Sequence, residues 1–400
     1  MSAPEQVDLL IRGGRVIDPA SEFDGVADVA ISNGKIAEVG TDLDQLDATR
    51  TIDASGLLVV PGLIDIHAHT YTHMSHSIDP DLIGVQSGVT TVVDAGTAGP
   101  CTWAPFYHQV IRTAKTRTLA FLHIARNGQA FIPAIRIDDD IDLDATVQTA
   151  QAYPDAIVGI KLRAVGPAVT TMGARMVELT RQAARESGGM QMIHIGDPDA
   201  EADGPTLTEA VLTNLERGDI LAHIYTHQPG SLLDGHGQAM PEVFEARDRG
   251  VVMESSPGGS NFSFEVAKRL MDQGLLPDVI GTDLTARGRG FLVHSLTEIM
   301  AKYIALGLSL HDVIRMTTST SAKVLGLDDK IGRLAPGYEA DVTLLRQEQG
   351  RWTFRDLPGE TLEGDTALVP VLTVKAGEMI APEWGPRPWG WLPESAPDAS

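Results

Sequence analysis

Eight short apolar runs recur at steady intervals through the middle of the chain. They are Leu63 to His67, Thr90 to Gly96, Thr118 to Ala125, Ile157 to Arg163, Met190 to Gly196, Ile220 to Thr226, Val251 to Ser255 and Val279 to Asp283. Each is continuously apolar rather than alternating, the pattern of parallel strands covered on both faces. Segments with helical spacing follow most of them: 105–115, 171–187, 207–217, 241–248, 262–273, 292–306 and 310–325. Strand and helix alternating in this way predict a (β/α)8 barrel.

The two ends read differently. Residues 1–61 alternate apolar and polar positions, with an Asn33-Gly34 hairpin turn between Val26–Ile31 and Lys35–Gly40. Residues 331–380 return to short strands with Pro and Gly turns. Neither end is apolar enough for its own core, so the two are expected to form one small β-sandwich domain beside the barrel at 62–330. Residues 381–400 carry five prolines and Trp384, Trp389 and Trp391, and read as an extended arm packed on a neighbouring domain or subunit.

Composition narrows the class. A formal charge of -23 disfavours a nucleic-acid partner. The single cysteine, Cys101, allows no intrachain disulfide. The first residues lack a signal-peptide pattern, and no apolar run is long enough to span a bilayer, so a soluble cytoplasmic protein without a membrane partner is expected. The Gly-rich loops match no nucleotide-binding pattern, so no nucleotide cofactor is expected.

Chemistry gathers at the strand ends. His67 and His69 lie two apart and face the same way on the first strand. His194 and His223 sit in strands five and six, Asp283 ends strand eight, and Lys161 lies inside strand four. Barrel active sites occupy the C-terminal ends of the strands. Four imidazoles and a carboxylate there suit zinc or a similar divalent metal. Lys161 in such surroundings would have a lowered pKa and could form a carbamate, N6-carboxylysine, able to bridge two metals. His227 lies on the same face as His223; His223 is preferred because it is inside the strand.

These residues carry a resemblance. Gly62-Leu63-Ile64-Asp65-Ile66-His67-Ala68-His69, Lys161, His194, His223 and Asp283, with the late stretch 331–341, resemble the amidohydrolase superfamily. Val89–Gly96, Gly159-Ile160-Lys161, His194–Pro198 and Asp234-Gly235-His236-Gly237 are similar to its dihydroorotase-like and D-aminoacylase-like branch, nearest the amidohydrolase/deacetylase metallohydrolase group. The family's threonine before the sixth-strand ligand is Ala222 here. The resemblance implies two divalent ions, most often Zn2+. His67, His69 and Asp283 would hold one, His194 and His223 the other, and carboxylated Lys161 would bridge them. Metal-activated hydroxide would attack an amide or ester, with Asp283 as proton shuttle.

Substrate contacts are expected from Arg163, which faces the same way as Lys161 and could take a carboxylate, and from His236, Tyr71 and Asn127. The expected substrate is a small N-acyl, cyclic amide or acyl ester compound bearing a carboxylate. Dihydroorotase or a related cyclic-imide hydrolase, a deaminase and a non-catalytic relative are the alternatives. A homo-oligomer is expected from the family's habits and the C-terminal arm.

Overall fold

The structure is a computed structural model and describes residues 6–43, 45–74, 76–200, 204–289 and 292–382. The Trp-rich arm from residue 383 lies outside the described residues. Five strands open the chain: β1 (Gln6–Asp18), β2 (Phe23–Ser32), β3 (Lys35–Gly40), β4 (Asp47–Asp53) and β5 (Leu58–Pro61). Eight follow in the middle: β6 (Leu63–Ala68), β7 (Val89–Ala95), β8 (Arg117–His123), β9 (Ile157–Arg163), β10 (Met190–His194), β11 (Ile220–Ala222), β12 (Val252–Ser255) and β13 (Val279–Ile280). Three close it: β14 (Val342–Arg355), β15 (Thr361–Lys375) and β16 (Glu378–Ile380).

β6 to β13 pair in sequence order, and every pairing is parallel. The sheet curls until its ends meet at the bridge Ala68↔Leu284, and the result is a TIM-like barrel. Asp65 pins this seam. Its Oδ1 accepts from the Thr282 amide at 3.0 Å and the His67 amide at 3.3 Å, and its Oδ2 accepts from Thr282 Oγ1 at 2.6 Å. One buried carboxylate thereby satisfies donors from both the first and the last strand region.

The terminal segments share a second sheet, in the order β16-β15-β14-β5-β1-β2-β3 with β4 on β1. The hairpin expected at Asn33-Gly34 is present. Ser32 pairs with Lys35, and both turn residues have positive φ (52° and 72°), as a type I′ turn requires. β14 and β15 form a hairpin much longer than the sheet they belong to. Val342 pairs with Pro61 at the foot of the barrel, and the pairing of β14 with β15 continues to Arg355↔Thr361. At about 3.3 Å per residue this hairpin reaches roughly 40 Å. It runs beside the helix Leu296–Ala305, where a Cβ on Gly364 would lie 3.0 Å from the Ala305 Cβ.

Two local readings change. The helix Leu143–Ala152 is absent from the expected set; it is capped by the Asp142 side chain, which accepts from the Ala145 amide at 3.0 Å. Three further aspartates, Asp138 to Asp140, precede it and blur its apolar period. Strands β10, β11 and β13 end earlier than the apolar runs suggest, because the chain turns where its functional side chains begin.

Replacing Asp65 with Ala strands buried donors on both sides of the seam. A loss of about 1–3 kcal/mol in unfolding free energy is expected from urea denaturation, with Asp65→Asn costing less.

Candidate metal centre

His67, Lys161 and His194 come from β6, β9 and β10; His69 and His223 follow directly after β6 and β11, and Asp283 lies in the loop after β13. Their shared floor opens into a cavity of about 910 Å³, lined also by Arg163, His76 and Gln129.

Each of the three central histidines is anchored through Nδ1. His67 Nδ1 lies 3.1 Å from Glu254 Oε1. His223 Nδ1 lies 2.9 Å from the Ser256 carbonyl, which can only accept, so Nδ1 carries the proton. His69 Nδ1 lies 2.9 Å from Thr97 Oγ1, whose own proton goes to Asp94 Oδ2 at 2.8 Å. Thr97 therefore accepts from His69. With Nδ1 protonated, Nε2 of each ring keeps its lone pair. His223 Nε2 is buried with no hydrogen-bond partner, although an imidazole lone pair there should be satisfied. A divalent ion bound there would satisfy it.

Two groups of side chains hold their ligand atoms within 4.8 Å of one another: His67, His69 and Asp283, and His67, His223 and Glu254. Asp283 Oδ1 lies 3.1 Å from His69 Nε2 and 3.7 Å from His67 Nε2. His67 is common to both groups. Glu254 escapes the sequence reading; its signal is a lone acid in the apolar strand Val252–Ser255. Besides His67, its carboxylate accepts from the His223 amide at 3.0 Å and from the Ser256 hydroxyl.

This geometry corrects the expected N6-carboxylysine ligand. The clustered donors are imidazole and carboxylate groups, and the position shared between the groups belongs to His67 rather than to a carboxylated Lys161. Lys161 is buried beside them as an amine whose Nζ makes no hydrogen bond. Burial pulls its pKa down to about 8, against the opposing pull of Glu254 and Asp283. Gly96 leaves room for it: a Cβ there would fall 2.6 Å from Lys161 Cβ and Cγ.

Electrostatics keep the imidazoles ready. Burial, reinforced by the Lys161 charge, pushes His67 well below its usual range. Burial and the neighbouring His223 do the same to His194. His223 falls to about 4, through burial and then His67. Burial would raise Asp283, but the imidazole groups of His69, His67 and His223 around it hold it well below the usual carboxylate range. Neutral rings and an ionised carboxylate are the states a cation needs. His223 (φ 69°) and Asp283 (φ 51°) both occupy the left-handed region, a strain of about 1–3 kcal/mol each, and the surrounding barrel enforces it.

The remaining expected residues scatter. His194 lines the cavity and its ring lies 4.4 Å from that of His223, but it belongs to neither cluster. Arg163 lines the cavity and makes no ion pair among the described residues. Tyr71 is buried against Phe106, with ring centroids 4.7 Å apart. His236 and Asn127 are exposed and do not line the cavity; Gln129, two residues beyond Asn127, does. His227 pairs with the Gln228 side chain at 3.3 Å. His123 lies outside the expected set. It ends β8 fully buried, and its Nδ1 accepts from the Ala125 amide at 2.9 Å.

A parallel barrel with neutral imidazoles and an ionised carboxylate converging at its C-terminal rim defines a metal-dependent hydrolase. Comparisons agree with that class. The sequence profile of the amidohydrolase family matches residues 58–379. A deacetylase of Agrobacterium fabrum is 31% identical over 353 residues, covering 87% of this chain and 85% of its own. The crystal structure of an adenine deaminase superposes with a TM-score of 0.84 at 27% identity, covering 94% of this chain and all of that one (100%). A dihydroorotase structure gives 0.83 at 29% identity, covering 94% and 99%. The chain belongs to the amidohydrolase family.

Two outcomes follow from the anchored rings. Glu254→Gln weakens the acceptor behind His67, so metal affinity in a chelator competition falls about 10–100-fold. Acid destabilises the metal-free protein. His223 and His76 are held down to about 4 and His123 to about 3, chiefly by burial. The unfolded chain therefore binds more protons than the folded one between about pH 6.5 and pH 4, and stability falls as pH falls through that window. Each such imidazole contributes about 1.4 kcal/mol per pH unit. Asp65, raised by burial to about 7, opposes them, as do Glu254 and Asp278, which burial also raises. Thermal melts from pH 7 to pH 4.5 should show a net decline.

Proposed function

We propose that this amidohydrolase cleaves the amide or ester bond of a small, carboxylate-bearing acyl compound, with zinc as its metal. The observation that carries the reading is Arg163, a half-buried guanidinium without an ion pair among the described residues, in the same cavity as the metal cluster. An arginine desolvated in that way suits a carboxylate, which it can grip through two hydrogen bonds. The nitrogen and oxygen donors of His67, His69, His223 and Asp283 suit zinc, and His194 is a further nitrogen donor at the same rim.

Bound divalent ions would polarise the scissile carbonyl and acidify water. The chain's own groups do the rest. Arg163 orients the substrate by its carboxylate. Asp283, ionised in the folded protein, takes the proton of the attacking water and returns it to the leaving nitrogen or oxygen. Lys161, whose buried amine has no hydrogen-bond partner, can donate a hydrogen bond to the oxygen that becomes negative in the transition state. Gly258 keeps the Asp283 carboxylate accessible, since a Cβ there would fall 2.1 Å from Oδ2. The deacetylase relative supports acyl substrates; the dihydroorotase and adenine deaminase structures keep cyclic imides and aminopurines in the comparison. A cytoplasmic homo-oligomer completes the proposal; no helix among the described residues is long and apolar enough to cross a membrane.

The test is turnover by the zinc-loaded enzyme of N-acetyl and N-formyl amino acids of both hands, acetylated 2-hydroxy acids, dihydroorotate and adenine. Hydrolysis of an acyl carboxylate is expected, and Arg163→Met should raise its KM about 10–100-fold, the worth of a charge-assisted contact. Turnover confined to adenine or dihydroorotate would replace the proposal.

A further inference from the structure

We propose that the tip of the β14–β15 hairpin is a working wall of the active site. In this proposal Leu357 on the tip and Ile132 on the loop after β8 form an apolar subsite for a hydrophobic substituent of the substrate. The inference deepens the acyl-hydrolase reading and rests on it for the polar end of the ligand.

Three observations carry it. First, the metal cavity is lined by Leu357, a residue of the terminal sheet, together with Ile132, Gly259, Ser260 and Asn261 of the barrel loops. Second, both aliphatic side chains are left open to solvent. Among the described residues only six large apolar side chains are exposed to this degree, and two of them, Ile132 at 54% and Leu357 at 40%, meet at this one cavity. Single exposed leucines are ordinary on a protein surface. Two aliphatic side chains from separate loops, lining one cavity beside buried metal-binding groups, make an apolar patch that a ligand can dry.

Third, the tip is fixed rather than loose. Asp356, immediately before Leu357, is buried although it sits on a hairpin end. Its Oδ2 accepts from the Phe264 amide at 2.9 Å, at the start of the helix Phe264–Asp272. Its Oδ1 accepts from the Gly359 amide at 2.9 Å and the Glu360 amide at 2.7 Å. A carboxylate at a helix N-terminus is favourably placed. The same group thus closes its own turn and ties it to the barrel loop that follows β12. Asp356 is a positioning residue in this account; Leu357 is the contact.

The subsite is read by binding, independently of turnover. The probes are methylphosphonate and benzylphosphonate, which share an anionic head and differ in the apolar group, titrated calorimetrically into zinc-loaded protein. Wild type should prefer benzylphosphonate by about tenfold or more, the usual scale for filling an apolar pocket. Leu357→Ala and Ile132→Ala should each shrink the ratio severalfold, because the benzyl compound weakens more than the methyl one. Asp356→Ala should shrink it as well and speed hydrogen exchange at the amides of Phe264, Gly359 and Glu360, with Asp356→Asn recovering part of both. A wild-type ratio near one, no measurable benzylphosphonate binding, or a ratio untouched by Leu357→Ala would each overturn the proposal. An enzyme that binds with this pattern yet turns over no acyl substrate would keep the subsite and refute the reaction.

Discussion

Buried imidazoles gather a cation only if they are neutral and if their lone pairs point to one place. Both conditions are met here by fixing the other ring nitrogen. Glu254, the Ser256 carbonyl and Thr97 each accept a hydrogen bond from Nδ1, of His67, His223 and His69 respectively. Burial supplies the neutrality, as the lowered pKa of His67 and His223 shows. The acceptors stand on or just after other strands, so the barrel must close in register before the site exists. Asp65, bracing the seam between the first strand and the residues after the last, belongs to the same requirement.

Neutrality also explains the cost accepted elsewhere. His223 and Asp283 sit in left-handed backbone, and His223 Nε2 and Lys161 Nζ are buried without partners. A protein selected for stability alone would have little reason to keep these features together. They are coherent if the site is completed by divalent ions, which turn unsatisfied lone pairs into ligands and offset the desolvation of Asp283.

The parts legible in the sequence are those that depend on local pattern. Continuous apolar runs give the barrel strands, and the Asn33-Gly34 turn gives its hairpin. Polar residues at the ends of those runs, His67, His69, Lys161, His194, His223 and Asp283, all come to one rim. What the pattern hides depends on which side chains meet across strands. Glu254 looks like any lone acid until the fold puts it behind His67. Gln129 rather than Asn127 faces the cavity because the loop after β8 turns between them. A bridging carboxylated lysine is a reasonable expectation for an amine among histidines, yet the shared position falls to His67. Leu357 lies far along the chain from every other cavity residue, and only the reach of the β14–β15 hairpin brings it there.

The most direct test of a metal-dependent hydrolase built around His67 is metal stoichiometry. Protein stripped with chelator, reloaded with zinc and desalted would be measured by plasma mass spectrometry beside His67→Ala. About two ions per chain are expected in the wild type, the content of a two-metal site, and a clear loss of zinc in the variant, because His67 offers Nε2 to one cluster and holds Glu254 of the other through Nδ1. Wild-type protein that retains no zinc, or a His67→Ala variant that keeps its full complement, would contradict it.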